Sequence, residues 1–515
     1  MSMIKNAMPL LSVIAWGLCH SSNAFAASAQ VHGQAAIVGD FSTNLPPFSS
    51  TYQGWRVPLG LTLEARASNN LSLFLDLRYG DNAFPAAGRN LGNKQSLNIS
   101  EKQKGSEVVQ PFSYEGTSGT SRDTIHVGFA YLQYASDVGL FKVGRMPRNW
   151  GLGIWRNAEW KPEGGAISTS DAISATFDIT SSFSGSLYWE KISEGQPTSL
   201  EDDADGFTVE ALLVDDPSDQ SSSGVSRKIG IAFNNYDHKQ SSTKIKTLDA
   251  FAKINTDHFG IEGEILYPSG STRSLSYQSN GGPSTQCATT PGSQPKTENI
   301  LNISCDSQKI EGFSALLRTR YQFGSPAGQG EKSLNISQVE SVRSRQATNM
   351  RPETHTASLW YGYARGDSDA FTGIADAQKD DSLKVLAMHP NMRPALLMNS
   401  ASANFVPGMP GPLVQNETFL RADYTYEAPN FGTITPAVIW GRINSLNTKA
   451  DLETSVGKTA NLGMEFDIKY GFQTTDNLNL SLEGGFWWPG KAWQSRANSK
   501  QDPVYGIKTT ASTQF

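Results

Sequence analysis

Charged side chains recur two residues apart along this chain, and that spacing is its first chemical signal. Asp76 and Arg78, Glu262 and Glu264, Arg318 and Arg320, Arg421 and Asp423, and Glu465, Asp467 and Lys469 all sit in runs whose intervening positions are mostly apolar. A period of two puts such residues on one face of a β-strand. Lys142, Asp249, Lys253 and Glu483 follow the same pattern. A wall of fixed charges acts on ions and polar solutes through its field. Neither sign dominates, which predicts a weakly selective polar surface. A second reading stands beside it: the charges pair across strands and fill the space they face.

Catalytic and metal chemistry find no frame. The histidines after the leader are His32, His126, His238, His258, His355 and His389, with no His-x-x-x-His or His-Glu spacing. There is no Gly-x-Ser-x-Gly. Gly485 to Lys491 has the spacing of a phosphate loop, but Ala492 stands where a Ser or Thr must hold the metal. The acidic run Glu201 to Gly206 lacks the ligand register of an EF-hand. No catalytic residue, metal site or cofactor is expected.

The elements that must carry these charges are alternating strands. From Leu71 to Gly80, Leu71, Leu73, Leu75, Leu77 and Tyr79 share one face, while Ser72, Asp76 and Arg78 share the other. From Lys309 to Phe323, Phe313, Ala315, Leu317, Tyr321 and Phe323 alternate with Arg318, Arg320 and Gln322. In His126 to Tyr134, alternation places Val127, Phe129 and Tyr131 on one face. Further runs bring the count to about 18, with 16 or 20 as neighbouring counts. Turns and loops alternate short and long; 324–355 breaks the rhythm, being long where a short turn is due.

The chain opens with a basic n-region at Lys5, an apolar run from Met8 to Leu18 and an Ala24-Phe25-Ala26 cleavage pattern. Residues 1–26 therefore read as a signal peptide and 27–515 as the mature chain. The formal charge of −6 is mild for this length and disfavours nucleic acid as a partner. Only 38% of residues are hydrophobic, while 10% are aromatic and 47 are glycine. A barrel in lipid needs apolar residues on alternate strand positions only, and its lumen and loops are polar. Strands in lipid cannot leave backbone groups unpaired, so the sheet must close. The fold expected is all-β: a transmembrane antiparallel up-and-down barrel with long outside loops at 81–122, 148–168, 269–308 and 367–416. Cys287 and Cys305 share one polar segment and fit a loop disulfide in an oxidising compartment.

Several motifs resemble those of Gram-negative outer-membrane barrels. Asp137 to Arg145 is similar to a stretch of general porins, where a turn glycine precedes a short strand ending Gly-Arg and the next loop folds into the pore. Met146-Pro147-Arg148-Asn149-Trp150-Gly151-Leu152-Gly153 and His389-Pro390-Asn391, with Ala395-Leu396-Leu397-Met398, resemble runs in uncharacterised barrels of predatory and myxobacterial types. The porin resemblance implies that loop 148–168 is a constriction, with Arg145, Arg148, Arg156 and Lys161 setting its field against Glu159 and Glu163. The other reading of Trp150, Trp155 and Trp160 is an anchor at the lipid headgroups. Phe515, ending an alternating strand, resembles the signal read by the barrel-assembly machinery.

Two functions follow. The first is a porin-like channel in the bacterial outer membrane for passive diffusion of ions and small polar solutes, lined by Arg78, Lys142, Arg318, Arg320, Arg421, Glu465 and Lys469. The second is a surface structural or adhesion barrel with a plugged lumen, whose loops bind a partner or lipopolysaccharide. Outer-membrane lipid and lipopolysaccharide surround either one, and a homotrimer is a candidate assembly.

Overall fold

A computed structural model describes residues 28–45, 50–79, 126–159, 168–193, 204–215, 224–238, 243–272, 308–323, 353–366, 382–383, 388–389, 391–399, 414–428, 431–445, 460–474, 477–493 and 502–515. Residues 1–26, expected to be a signal peptide, and Trp160, Lys161, Glu163, Cys287 and Cys305 lie outside these residues, as does most of 324–355.

Among the described residues a single sheet holds twenty-one hydrogen-bonded segments. Two barrel strands are each made of two segments, and a third short segment lies within a loop, so the closed barrel has 18 strands. In chain order they are β1 (Ser28–Leu45), β2 (Ser50–Arg56 continued by Leu59–Arg66), β3 (Leu71–Tyr79), β4 (His126–Ser136), β5 (Gly139–Pro147), β6 (Thr169–Asp178), β7 (Phe183–Ser193), β8 (Ala204–Asp215) and β9 (Ser226–His238). Then come β10 (Thr243–Asn255), β11 (Phe259–Thr272), β12 (Gln308–Glu311 continued by Ser314–Phe323), β13 (Thr354–Ala364), β14 (Glu417–Ala428), β15 (Gly432–Ile443), β16 (Asn461–Gln473), β17 (Leu478–Pro489) and β18 (Val504–Gln514). Every neighbouring pair is antiparallel, and β1 pairs with β18 from Gln34↔Gln514 to Thr43↔Tyr505, which closes the cylinder. The two-residue segment Ser382–Leu383 pairs parallel with Lys309–Ile310.

The outside is apolar because alternate positions are. Leu61, Leu73, Leu132, Leu187, Phe233, Leu248, Ile265, Leu317, Leu359, Val438 and Leu482 are each 40–51% exposed, a band that only hydrocarbon satisfies. Their neighbours along each strand face the lumen.

Among the register shifts of the sheet, one changes which residues face the lumen. The β3–β4 register shifts between Asp76 and Leu77: Phe129 faces Asp76 and Val127 faces Leu77, leaving Gly128 as the extra residue. A Cβ on Gly128 would strike the Asp76 carboxylate. Val127 therefore stays outside, at 41% exposed, while Tyr131 turns inward and stacks on Phe74 at 4.9 Å. Sequence alternation had put Val127 and Tyr131 on one face; a bulge swaps faces and carries no compositional mark beyond a glycine.

A two-segment neck inside the barrel

The loop after β5 turns into the lumen. Gly151 (φ +61°) and Gly153 (φ +83°) adopt left-handed conformations that favour glycine. A Cβ at Gly151 would meet the Glu264 carboxylate, and one at Gly153 the Asn157 amide. Those turns bring Trp150, Leu152, Ile154 and Trp155 against the inner wall, with Phe251, Leu266 and Leu316.

Wall acids hold this segment. The Trp150 Nε1–H donates to Asp249 Oδ1 at 2.8 Å. The Leu152 and Ile154 amides donate to Glu264, the second at 3.4 Å. Arg156 makes a bidentate pair with Glu190 at 2.9 and 2.8 Å, and Arg148 bridges Glu190 and Glu210, the latter at 2.7 Å. The Arg148 guanidinium also lies 3.4 Å from the centre of the Tyr188 ring. At its base, Arg148 N–H donates to Ser168 O and Ser168 N–H to Asn157 O, both at 2.8 Å.

A second segment, Met388 to Asn399, folds inward from the long loop before β14. It too is held by buried acids. Leu396 N–H donates to Asp467 at 3.0 Å, Leu397 and Met398 N–H to Glu465 at 2.6 and 2.7 Å, and Asn399 Nδ2 to Glu417 at 3.0 Å. Leu397 and Met398 pack on Ile439, Leu462, Trp487 and Trp493. The two segments meet. His389 N–H donates to Ile154 O at 2.8 Å, and Asn391 Nδ2 donates to Glu159 O at 3.0 Å. Met388, Met392 and Val414 share one apolar cluster with Trp150, Ile154 and Trp155.

Nearer the short-turn end the lumen wall is mainly cationic. One continuous rung, read through the strand register, runs Lys228, Lys253, Glu262, Arg318, Trp360, Arg421. Arg318 and Arg320 both bind Glu262, the second at 3.5 Å. The Arg318 and Arg421 guanidinium carbons lie 4.8 and 5.5 Å from the Trp360 ring centre. Across the barrel Lys469, Glu483, Lys508 and Asp40 form a rung of alternating sign. Lys142 sits 5.6 Å from the Tyr131 ring centre, and Arg78 pairs with Asp76.

In the strand register Arg78, Lys142, Arg318, Arg320, Arg421, Glu465 and Lys469 take the positions opposite the apolar outer face of their strands. Arg148 and Arg156 are in the neck, fully paired to the wall. Glu159 offers its backbone carbonyl to Asn391. Arg145 is elsewhere: it shares a face with Val143, half exposed, and binds Asp171 at 2.8 Å on the outside of β5 and β6. The strand continues through Pro147, so alternation carries Arg145 outward before the loop begins. Trp150 and Trp155 are buried at 6% and 9% exposure inside the barrel, so neither reaches the headgroups. Trp487 is fully buried against Trp493, while its neighbour Trp488 points outward at 49% exposed. The anchoring acids Glu190, Glu210, Asp249 and Glu264 gave no sign of a partner loop, and only their inward parity could have flagged them.

This closed antiparallel cylinder, apolar outside and polar within, is the architecture of bacterial outer-membrane proteins. The chain is an outer-membrane β-barrel. No family model matches it, and no curated protein does. Among solved structures the barrel is similar to OpdQ of Pseudomonas aeruginosa (9% identity, TM-score 0.45, covering 95% of this chain and 98% of that one). It is also similar to the outer membrane protein OprD of the same organism (10%, TM-score 0.45, 96% and 95%) and to a BenF-like porin from Pseudomonas fluorescens Pf-5 (8%, TM-score 0.45, 95% and 98%).

Proposed function

We propose that the protein is a passive diffusion channel for ions and small polar solutes, narrowed by two inward segments, 148–159 and 388–399. The observation that carries this reading is the division of labour among interior charges. The neck region's acids, Glu190, Glu210, Asp249, Glu264, Glu417, Glu465 and Asp467, are bonded to the inward segments. Of the rung, Lys228, Lys253 and Arg318 face the passage with Glu262 as the acidic member, while Arg421 donates to the Pro394 carbonyl of the second segment at 2.5 Å. A solute that has passed the neck then meets more positive than negative charge on this rung of the wall, so the channel favours anions weakly rather than being indifferent to sign.

Planar-bilayer recording tests this. Stepwise conductance with a reversal potential on the anion side is expected under a salt gradient. Arg318→Gln with Arg320→Gln should move that potential toward the cation side, whereas Arg145→Ala, on the outer surface, should leave it unchanged. A folded, inserted barrel that never conducts would overturn the channel.

The second reading keeps one observation in its favour. The inward segments form apolar clusters with the wall, which is how a plug packs. Under it the barrel is a surface structural or adhesion protein, and silent bilayers are its expected outcome.

A further inference from the structure

The two halves of the neck are joined at His389, which is fully buried. We propose that His389 is a positioning residue that holds the halves in register only while its imidazole is neutral, so that acid loosens the neck. Nδ1 accepts the Asn391 backbone N–H at 3.2 Å. A backbone N–H can only donate, so Nδ1 must present its lone pair. The ring's single proton then belongs to Nε2, which lies 3.0 Å from Ser168 Oγ. Ser168 is the residue where the ends of the first inward segment meet: its Oγ accepts Asn157 N–H at 3.1 Å, and its carbonyl accepts Arg148 N–H. Through one ring, the base of segment 148–159 is tied to the start of segment 391–399.

A second proton on the ring sets N–H against N–H at Nδ1. Asn391 must then move, and with it the bond from its side chain to Glu159 O. The charged groups on the packed segments are Arg148, Arg156 and Glu159 on the first, Arg393 on His389's own, and Glu417 at the start of β14, three residues beyond Val414. Arg148 and Arg156 are already engaged with Glu190 and Glu210, and they oppose a further positive charge at the joint. Imidazole is the side chain whose unperturbed titration falls between about pH 5 and 8, which sets the range of the test.

The electrical readout rests on the channel reading, so a second readout independent of conductance accompanies it. Single-channel conductance and amide hydrogen exchange of the 391–399 segment, corrected for intrinsic chemistry, are measured on the inserted protein at about pH 7.5 and about pH 5. In the wild type, acid is expected to raise conductance about twofold and to lower amide protection about tenfold. His389→Gln keeps an acceptor and a donor but cannot titrate, and should be flat in both readouts. His389→Ala should lack protection at either pH. Equal wild-type protection at both pH values, or a shift that persists in His389→Gln, would overturn the proposal. A silent bilayer together with a His389-dependent loss of protection would instead leave the joint standing and remove the channel.

Discussion

A guanidinium buried inside a barrel is tolerated only if a carboxylate meets it, and the neck is organised by that constraint. Arg148 and Arg156 are 3% and 5% exposed and converge on Glu190, which is itself buried. Removing one partner of such a group leaves an uncompensated charge, at about 3–5 kcal/mol. Glu190→Ala is therefore expected to destabilise the barrel by about 3 kcal/mol in chemical denaturation and to make the open-channel current noisier as segment 148–159 loosens. Wild-type stability and a quiet current in Glu190→Ala would show that Glu210 alone suffices. Arg145, three residues before Arg148, carries none of this load, because it is on the other face of its strand.

At the scale of elements, the two inward segments use one device in different sectors of the wall. Each offers two backbone N–H groups to one acid that projects from a strand: Leu152 and Ile154 to Glu264, Leu397 and Met398 to Glu465. Irregular backbone within the membrane is admissible where it is buried in protein in this way. Replacing Asn391 to Asn399 by a short Gly-Ser link should enlarge the conductance and expose Trp150 and Trp155, read as a red shift of tryptophan emission. An unchanged spectrum would mean that the first segment stands alone. The sequence had pointed to 148–168 through its Gly-Arg strand end and its aromatics, and to His389 and Leu396 as a motif. Nothing in composition says that the two meet, since 221 residues separate Ser168 from His389.

The whole molecule depends on closure and on its apolar belt. Phe515 exchanges two backbone hydrogen bonds with Gly33, at 2.6 and 2.9 Å, and a Cβ on Gly33 would overlap the Phe515 ring. Gly33→Leu should therefore impair the seam between β1 and β18, seen as a loss of the compact, heat-modifiable band in unboiled gels; a normal band would show that the terminal ring has another place to go. Ile265 is 51% exposed near the middle of β11. Ile265→Arg should lower folding stability in bilayers by about 2–4 kcal/mol, measured by urea titration in vesicles.

Period-two alternation alone determined the strands, their closure and the sign of almost every face, because lipid outside and water inside act on each residue locally. The 18-strand count and the inward parity of Arg318, Arg320, Arg421 and Glu465 follow from that local rule. The tertiary structure alone decided two things: the bulge at Gly128 that turns Tyr131 inward, and the joining of two distant segments on seven wall acids. Each depends on register or on contacts across the lumen, and a linear pattern does not encode which strand stands opposite which loop.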